Sequence, residues 1–420
     1  PTSYYLYREV LALHTGKLLR HTSDSCLLSA QWNQARLQAC TKMQLLHFGP
    51  AILSIVVCIT TADEPPQFIA AVFRHGARAP LGTFPRDPNK DYHWQYGFGQ
   101  LTKEGRLAMY QMGMYLRKRY NGSLSFDPRE VFARSSPEPR CFDSVALLLY
   151  GMYPVKEGQR WKAGRDWQPV PIMRLPKHND KYTFYCPKMI KAMLEKLMSS
   201  GGGKGEKNPV QSVAQWTGIS PNEPRKLLDA VDAFLVQHEN KLKLPDAAKS
   251  RLPKLRRLNH QLYLMLGAVL SPIMGGEILR DIAHKLQYFV YPESTKKSST
   301  MEGFAPLEIP QKDVRQKKLN LYSYHDLNVI AVMHSLNNST LKERPPYGSA
   351  VLFEVKNSSG NGEPTIEVLY RQGTQRRVRV PISGCPGQCT LSKFNAFVNK
   401  AFQPVTAEQC GVSKEQFVVL

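Results

Sequence analysis

Phe68-Ile69-Ala70-Ala71-Val72-Phe73, followed at once by Arg74-His75-Gly76-Ala77-Arg78-Ala79-Pro80, is the stretch on which the reading of this chain turns. An apolar run without polar alternation is a strand buried on both faces, the pattern of a parallel sheet covered by helices. The chain then delivers two guanidiniums, an imidazole and a glycine to the carboxyl end of that strand, the edge where open α/β sheets keep their ligand sites. The stretch reads as a phosphate site.

Two further strands end in a similar way. Val131-Phe132-Ala133 runs into Arg134, and Leu319 to Tyr324 runs into His325-Asp326. Each piece has a bland explanation when taken alone. Arg74 and Arg78 serve equally well as surface cations, His75 as an ordinary hydrogen-bonding residue, and His325-Asp326 as the cap of a following helix. Three strand ends that bring Arg-His, Arg and His-Asp to one edge outweigh those explanations taken together.

The surrounding chain supports a layered α/β domain. Thr102 is placed to cap a helix whose stripe is Leu107, Tyr110, Met114 and Leu116, and Pro139 opens another containing Val145, Leu148 and Leu149. Helices are expected over Glu277 to Phe289 and Leu391 to Phe402, and an antiparallel pair over Ala350 to Val355 and Thr365 to Tyr370. Residues 155–275 differ in texture, with prolines at 171 and 176, three glycines at 201–203, and helical patterns over Leu227 to Val236 and Leu255 to Leu270. They read as a mostly helical cap inserted into an α/β domain formed by residues 63–154 and 276–420. Ser294 to Glu302 is polar and expected to be mobile.

The first methionine is Met43, so residues 1–42 are set aside as an untranslated or non-native extension. Ala51 to Ile59 is apolar and Thr60-Thr61-Ala62 has the small side chains of a cleavage site, so residues 43–62 read as a secretory signal peptide. An N-terminal anchor or a buried strand is the alternative. No stable membrane span is expected, because no later apolar run is long enough. A secreted or luminal protein follows.

The 420 residues carry a formal charge of +22, and the excess persists without the first 62, which hold five Lys or Arg and two acids. The cations are scattered and no nucleic-acid-binding motif is present, so the charge points to anionic substrates and not to nucleic acid. Cys141, Cys186, Cys385, Cys389 and Cys410 remain after the leader. Cys385 and Cys389 are spaced to close a small loop, leaving Cys186 and Cys410 as a second candidate pair and Cys141 as the odd thiol. A metal site would need further ligands at suitable spacing, and none accompanies them. Glycosylation triplets begin at Asn121, Asn337, Asn338 and Asn357.

Arg-His-Gly-x-Arg-x-Pro with a distant His-Asp resembles the signature of the histidine phosphatase superfamily, in its prostatic and lysosomal acid phosphatase branch. Gly97-Phe98-Gly99-Gln100-Leu101-Thr102 and Tyr115-Leu116-Arg117-Lys118-Arg119-Tyr120 are similar to that branch, as is Gly384-Cys385 to Phe394 with its C-terminal disulfide and helix. The similarity spans about Phe68 to Cys410 and is weak in the insertion. It implies a mixed sheet flanked by helices, phosphoglycerate-mutase-like, with a helical cap, and neither metal nor cofactor. His75 would be the nucleophile, Asp326 the general acid, and Arg74, Arg78, Arg134 and His325 the phosphate-binding groups. The substrate would be a phosphorylated small molecule or a phosphoprotein, and a homodimer is left open.

The chain departs from the pattern at Ala77, where Asp is frequent, and over Arg134-Ser135-Ser136-Pro137-Glu138-Pro139-Arg140, which lacks acids the family often has. A more positive pocket is expected, with Glu138 restoring one carboxylate. The rival readings are a phytase or lipid-phosphate phosphatase of the same superfamily, a catalytically weak secreted protein that binds anionic ligands, and a mutase-like phosphotransferase. Keeping both His75 and Asp326 argues against a mere binder, and a signal with disulfides fits a mutase poorly.

Overall fold

The computed structural model describes residues 40–46, 55–60, 64–125, 127–183, 186–199, 209–291, 317–337, 341–357, 362–374, 377–402 and 405–413. The chain divides into two compact units, Pro1–Glu64 and Pro65–Leu420. In the first, β1 (Cys40–Leu46) pairs antiparallel with β2 (Ile55–Thr60). The segment read as a leader therefore contributes a strand pair here. That pair also takes in Cys40 to Lys42, which belong to the stretch expected to be an extension, and the rest of residues 1–42 lies outside the described residues.

The second unit is built on one mixed sheet. Its strands are β3 (Phe68–Arg74), β4 (Val131–Ser135), β5 (Met173–Arg174), β6 (Leu319–Tyr324), β7 (Ala350–Lys356), β8 (Thr365–Arg371), β9 (Arg377–Arg379) and β10 (Cys389–Thr390). They lie in the order β10-β8-β7-β3-β6-β4-β5, with β9 added beside β8. Strands β3, β6, β4 and β5 run parallel, while β7, β8 and β10 make the antiparallel half.

Helices α1 (Lys103–Arg119) and α2 (Pro139–Met152) come after the first two parallel strands. The cap carries α3 (Pro187–Ser199), α4 (Pro209–Thr217), α5 (Pro224–Glu239), α6 (Asp246–Lys249) and α7 (Leu252–Val269). A π-helical turn at Ser271–Gly275 leads into α8 (Gly276–Val290), and α9 (Asp326–Leu336), α10 (Leu391–Ala401) and α11 (Ala407–Cys410) follow among the described residues.

The opening apolar run is explained by its two faces. Ile69, Ala71 and Phe73 of β3 pack on Met109, Met112 and Leu116 of α1 and on Val145 and Leu148 of α2. Phe68, Ala70 and Val72 pack on the other side with Ile278 and Ile282 of α8, Val329 and Val332 of α9, and Phe394 of α10. With both faces covered, a polar residue anywhere in the run would be desolvated, and each large apolar side chain contributes roughly 1.5–3 kcal/mol by burial. Thr102 caps α1 as expected, its hydroxyl accepting from the Gly105 amide at 3.1 Å. Pro139 occupies the first turn of α2, where its missing amide costs nothing.

Val213, Leu227, Phe234 and Leu255 of the cap form a separate apolar core together with Phe84 from the segment after β3. Disulfides join Cys186 to Cys410 and Cys385 to Cys389, and Cys141 is a free, buried thiol. Asn121 and Asn357 are exposed, and Asn337 is half-buried. Asn338 and the stretch Ser294 to Glu302 lie outside the described residues. Among the described residues no single helix is long and apolar enough to cross a membrane.

Candidate active site

Parallel pairing fixes the site before any side chain is considered. Arg74 stands opposite Tyr324, and Ser135 opposite Ser323, so β3, β6 and β4 finish on one line. The residue after each strand, His75, His325 or Ser136, is therefore delivered to a single sheet edge. Two glycines allow the loop after β3 to press against α1. A Cβ on Gly76 would sit 2.5 Å from the Gly105 carbonyl oxygen, and one on Gly105 would sit 2.0 Å from that of Ala77. Only hydrogen fits at either position.

His75 is 3% exposed. Its Nδ1 lies 2.8 Å from the Gly76 carbonyl oxygen, which can only accept, so Nδ1 carries the proton and Nε2 keeps its lone pair. The Nε of Arg140 points at that Nε2 from 3.3 Å. The ring stands 5.6 Å from His325 and 5.7 Å from Tyr347, centroid to centroid. Burial first, then the charges of Arg140 and Arg74, hold the imidazole well below its ordinary pKa. The neutral form is therefore favoured across mildly acidic pH.

Buried cations surround it. The Arg74 guanidinium donates to the Pro345 carbonyl at 2.6 Å, pairs with Asp326 at 3.2 Å, and lies 3.8 Å over the Tyr347 ring. Arg78 pairs with Asp232 of α5 at 3.0 Å. The Nε atoms of both arginines are buried without a hydrogen-bond partner, which leaves each a donor to spare.

Arg134 is placed differently from Arg74 and Arg78. It is fully buried, paired with Asp180 at 2.9 Å, donating to the Tyr324 hydroxyl at 2.9 Å, and stacked 4.0 Å from the Tyr182 ring centre. Both members of this pair are out of water, so removing either would strand a buried charge at a cost of about 3–5 kcal/mol. His325 meets the Ser136 hydroxyl through Nε2 at 2.9 Å, and burial with the nearby Arg140 lowers its pKa to about 3. Cys141 approaches the same ring at 3.8 Å, and burial pushes its thiol up to about 12, which leaves it protonated and inert.

Asp326 is the first residue of α9, where free amides favour an anion. Its Oδ1 accepts from the Leu327 amide at 2.9 Å, and its Oδ2 meets Arg344 Nε at 2.6 Å as well as Arg74. Burial by itself would raise this carboxyl, but Arg344, Arg74 and His75 outweigh it and hold the group far below the usual carboxylate range. In the resting site the expected acid is ionised.

Four partners are not singled out by the sequence. Arg140 closes the same motif that Arg134 opens, and its position could have been found there. Glu138 does restore a carboxylate, but to Arg140, at 3.0 Å. Asp180, Asp232 and Arg344 lie in the cap or in the loop before β7, with no spacing signal that ties them to the sheet edge. A cavity of about 230 Å³ opens beside Arg74, lined also by Asp232, Asn259, His260, Arg344 and Tyr347. Among the described residues no cluster of three or more His, Cys, Asp or Glu is arranged to hold a metal ion.

Comparison with known proteins agrees with this geometry. Residues 67–191 match the family described as histidine phosphatase superfamily (branch 2). Testicular acid phosphatase of Mus musculus is 29% identical over an alignment covering 87% of this chain and 88% of that protein. Lysosomal acid phosphatase of Homo sapiens is 27% identical, covering 82% and 81%, and prostatic acid phosphatase of Bos taurus is 27% identical, covering 82% and 88%. In structure, the Hafnia alvei phytase in complex with tartrate superposes with a TM-score of 0.56 at 17% identity over 83% of this chain and 99% of that one, which is a likeness of fold. The strand-end signature, the mixed sheet and these relatives agree in making the chain similar to branch 2 of the histidine phosphatase superfamily over residues 67–191 and to its acid phosphatases over most of its length.

Proposed function

We propose that this chain is a secreted or luminal acid phosphatase that hydrolyses phosphate monoesters through a phosphohistidine on His75. The observation that supports it most is the tautomer of His75. With Nδ1 bound to the Gly76 carbonyl, Nε2 presents its lone pair in a buried, cation-lined recess.

In the first displacement Nε2 attacks phosphorus and the phosphorus–oxygen bond to the leaving group breaks. Arg74, Arg78 and Arg140 face the charge that spreads over the phosphoryl oxygens, with His325 beside them, and Arg134 supports the field from beneath. In the second displacement water attacks the phosphohistidine and returns His75 to its neutral form.

Asp326 is the nearest candidate to give the leaving oxygen its proton. Because its carboxylate is ionised in the resting site, it can act only after the negative charge of bound phosphate has offset the arginines around it. An acidic optimum follows, since low pH fills this carboxyl while His75 stays neutral.

Secretion is supported by the leader-like sequence of residues 43–62, by two disulfides and by exposed glycosylation triplets at Asn121 and Asn357. The phytase alternative draws less support, because Asp232, Glu239 and Glu343 offset the arginines of the cavity beside Arg74 and leave it without the large positive excess that would favour a polyphosphate. The test is release of phosphate from p-nitrophenyl phosphate between about pH 4 and 7, comparing the parent with His75→Ala. Activity lost in the variant supports the reading, and a parent without activity sinks it.

A further inference from the structure

The buried charges beside the recess form an alternating chain: Arg78, Asp232, Arg344, Asp326, Arg74. Consecutive members lie 3.0, 3.3, 2.6 and 3.2 Å apart. Its middle member, Arg344, comes from the loop that leads into β7 and is held on three sides. It donates to Asn259 Oδ1 of α7 at 2.8 Å, pairs with Asp232 of α5, and lies 3.6 Å over the Tyr263 ring. A guanidinium anchored in this way cannot swing off Asp326 without breaking contacts to two cap helices.

The consequence falls on the proton. Both oxygens of Asp326 are engaged, one by the Leu327 amide and the other by two guanidiniums. A proton on this carboxyl cancels the charge that all three donors bind, so each of them opposes it. The groups facing it are Arg74 at the end of β3, His75 just after it, His325 at the start of its own helix, and Arg344, with Asp232, Arg78, Tyr263 and Tyr347 behind them. Arg74 must also serve the phosphate, whereas the anions that Arg344 meets among the described residues are Asp326 and Asp232.

Resting on the phosphatase reading, we propose that Arg344 is a specificity-determining residue. By fixing the Asp326 carboxylate, it biases the enzyme toward phosphoesters whose leaving group departs without a proton, aryl phosphates above alkyl phosphates. An aryl oxygen leaves with the bonding electron pair as a phenoxide and takes its proton from water afterwards. An alkoxide must receive its proton from Asp326 as the phosphorus–oxygen bond breaks.

The experiment compares kcat/KM, which reports the steps up to the phosphoenzyme, for p-nitrophenyl phosphate and glycerol 2-phosphate at about pH 5. It uses the wild type, Arg344→Leu and Arg344→Lys, with a pH profile for each. General acid catalysis contributes roughly 10²–10⁴-fold, so the wild type is expected to prefer the aryl ester by at least about 100-fold. Arg344→Leu should lower that ratio at least ~10-fold and extend alkyl hydrolysis toward neutral pH, with Arg344→Lys between the two. A wild-type ratio within about 3-fold, or a ratio unmoved by Arg344→Leu, overturns the proposal while leaving the phosphatase reading intact. If neither ester is hydrolysed by the wild type, it is that reading which fails. Should Arg344→Leu not fold, the wild type decides alone across substituted phenyl phosphates: kcat/KM must rise steeply with leaving-group acidity, and a shallow dependence overturns the assignment.

Discussion

The Nε2 of His75 lies 3.3 Å from the Nε of Arg140, and a cation that close has two opposed effects on a nucleophilic imidazole. It helps to keep the ring unprotonated, and it competes for the lone pair until a phosphoryl group arrives to take the guanidinium. An anionic phosphoryl oxygen is a stronger acceptor for the guanidinium than a neutral ring nitrogen, so its arrival frees the lone pair. Glu138, at 3.0 Å on its other side, keeps it in place meanwhile.

Replacing Arg140 with Ala should therefore leave two marks. Loss of one donor to the developing phosphoryl charge should lower kcat/KM by roughly 10²–10³-fold. The proposed mechanism uses the neutral form of His75, whose pKa lies well below 6.5, and removing a neighbouring positive charge moves that pKa upward. The acid limb of the kcat/KM profile should then shift to higher pH, as a pH series on the variant would show. An unmoved limb would mean that Arg140 does not act on His75.

Stability should respond to His325 in acid. Its pKa of about 3 lies below the unfolded value near 6.5, so the unfolded chain binds a proton that the native chain refuses. The penalty is absent above pH ~6.5, grows as pH falls, and levels off near pH 3, with a span of roughly 2–5 kcal/mol. Denaturant titrations from about pH 7 to 4 should show this loss, and His325→Gln should make the curve flatter over the same window.

The contact between Gly105 and the loop after β3 predicts that Gly105→Ala costs more than its size suggests. The added methyl would lie 2.0 Å from the Ala77 carbonyl oxygen, so α1 and the loop must separate. Overpacking of this kind costs about 1–3 kcal/mol, and the displaced loop carries His75. Thermal melts and kcat measured on the same preparation should fall together.

Removing the Cys186–Cys410 disulfide, which spans 224 residues, should cost roughly 2–5 kcal/mol, and the Cys385–Cys389 bridge, which spans four, distinctly less. Paired serine variants unfolded in urea would rank the two. An equal loss for both would count against the chain-entropy explanation.

The site is half legible in the sequence, and the division has a physical cause. Strand β3 can be read almost to its end because the apolar run Phe68 to Phe73, closed by charged residues, has only one way to be buried. His75, Arg74, Arg78 and Asp326 are found because they adjoin such runs in sequence. Arg344 is not, since it is one of 56 Lys and Arg residues and reaches Asp326 only when the loop before β7 folds against α5 and α7. Arg134 is the case of a legible residue with an illegible partner. Its place at a strand end suggests a partner for phosphate, yet its charge is met inside the protein by Asp180, a residue from a proline-rich stretch with no visible tie to the sheet. The carboxylate missing at Ala77 gives no warning that Asp232 reaches Arg78 from the cap.

The mechanism stands or falls on a covalent phosphoryl bond to His75, and rapid quenching during turnover of a phosphate-labelled aryl ester would trap it. Label should appear on the peptide containing His75, stable to base and released by acid, and should be absent from His75→Ala. Full turnover with no label on that peptide, or equal labelling of the variant, would rule the phosphohistidine out.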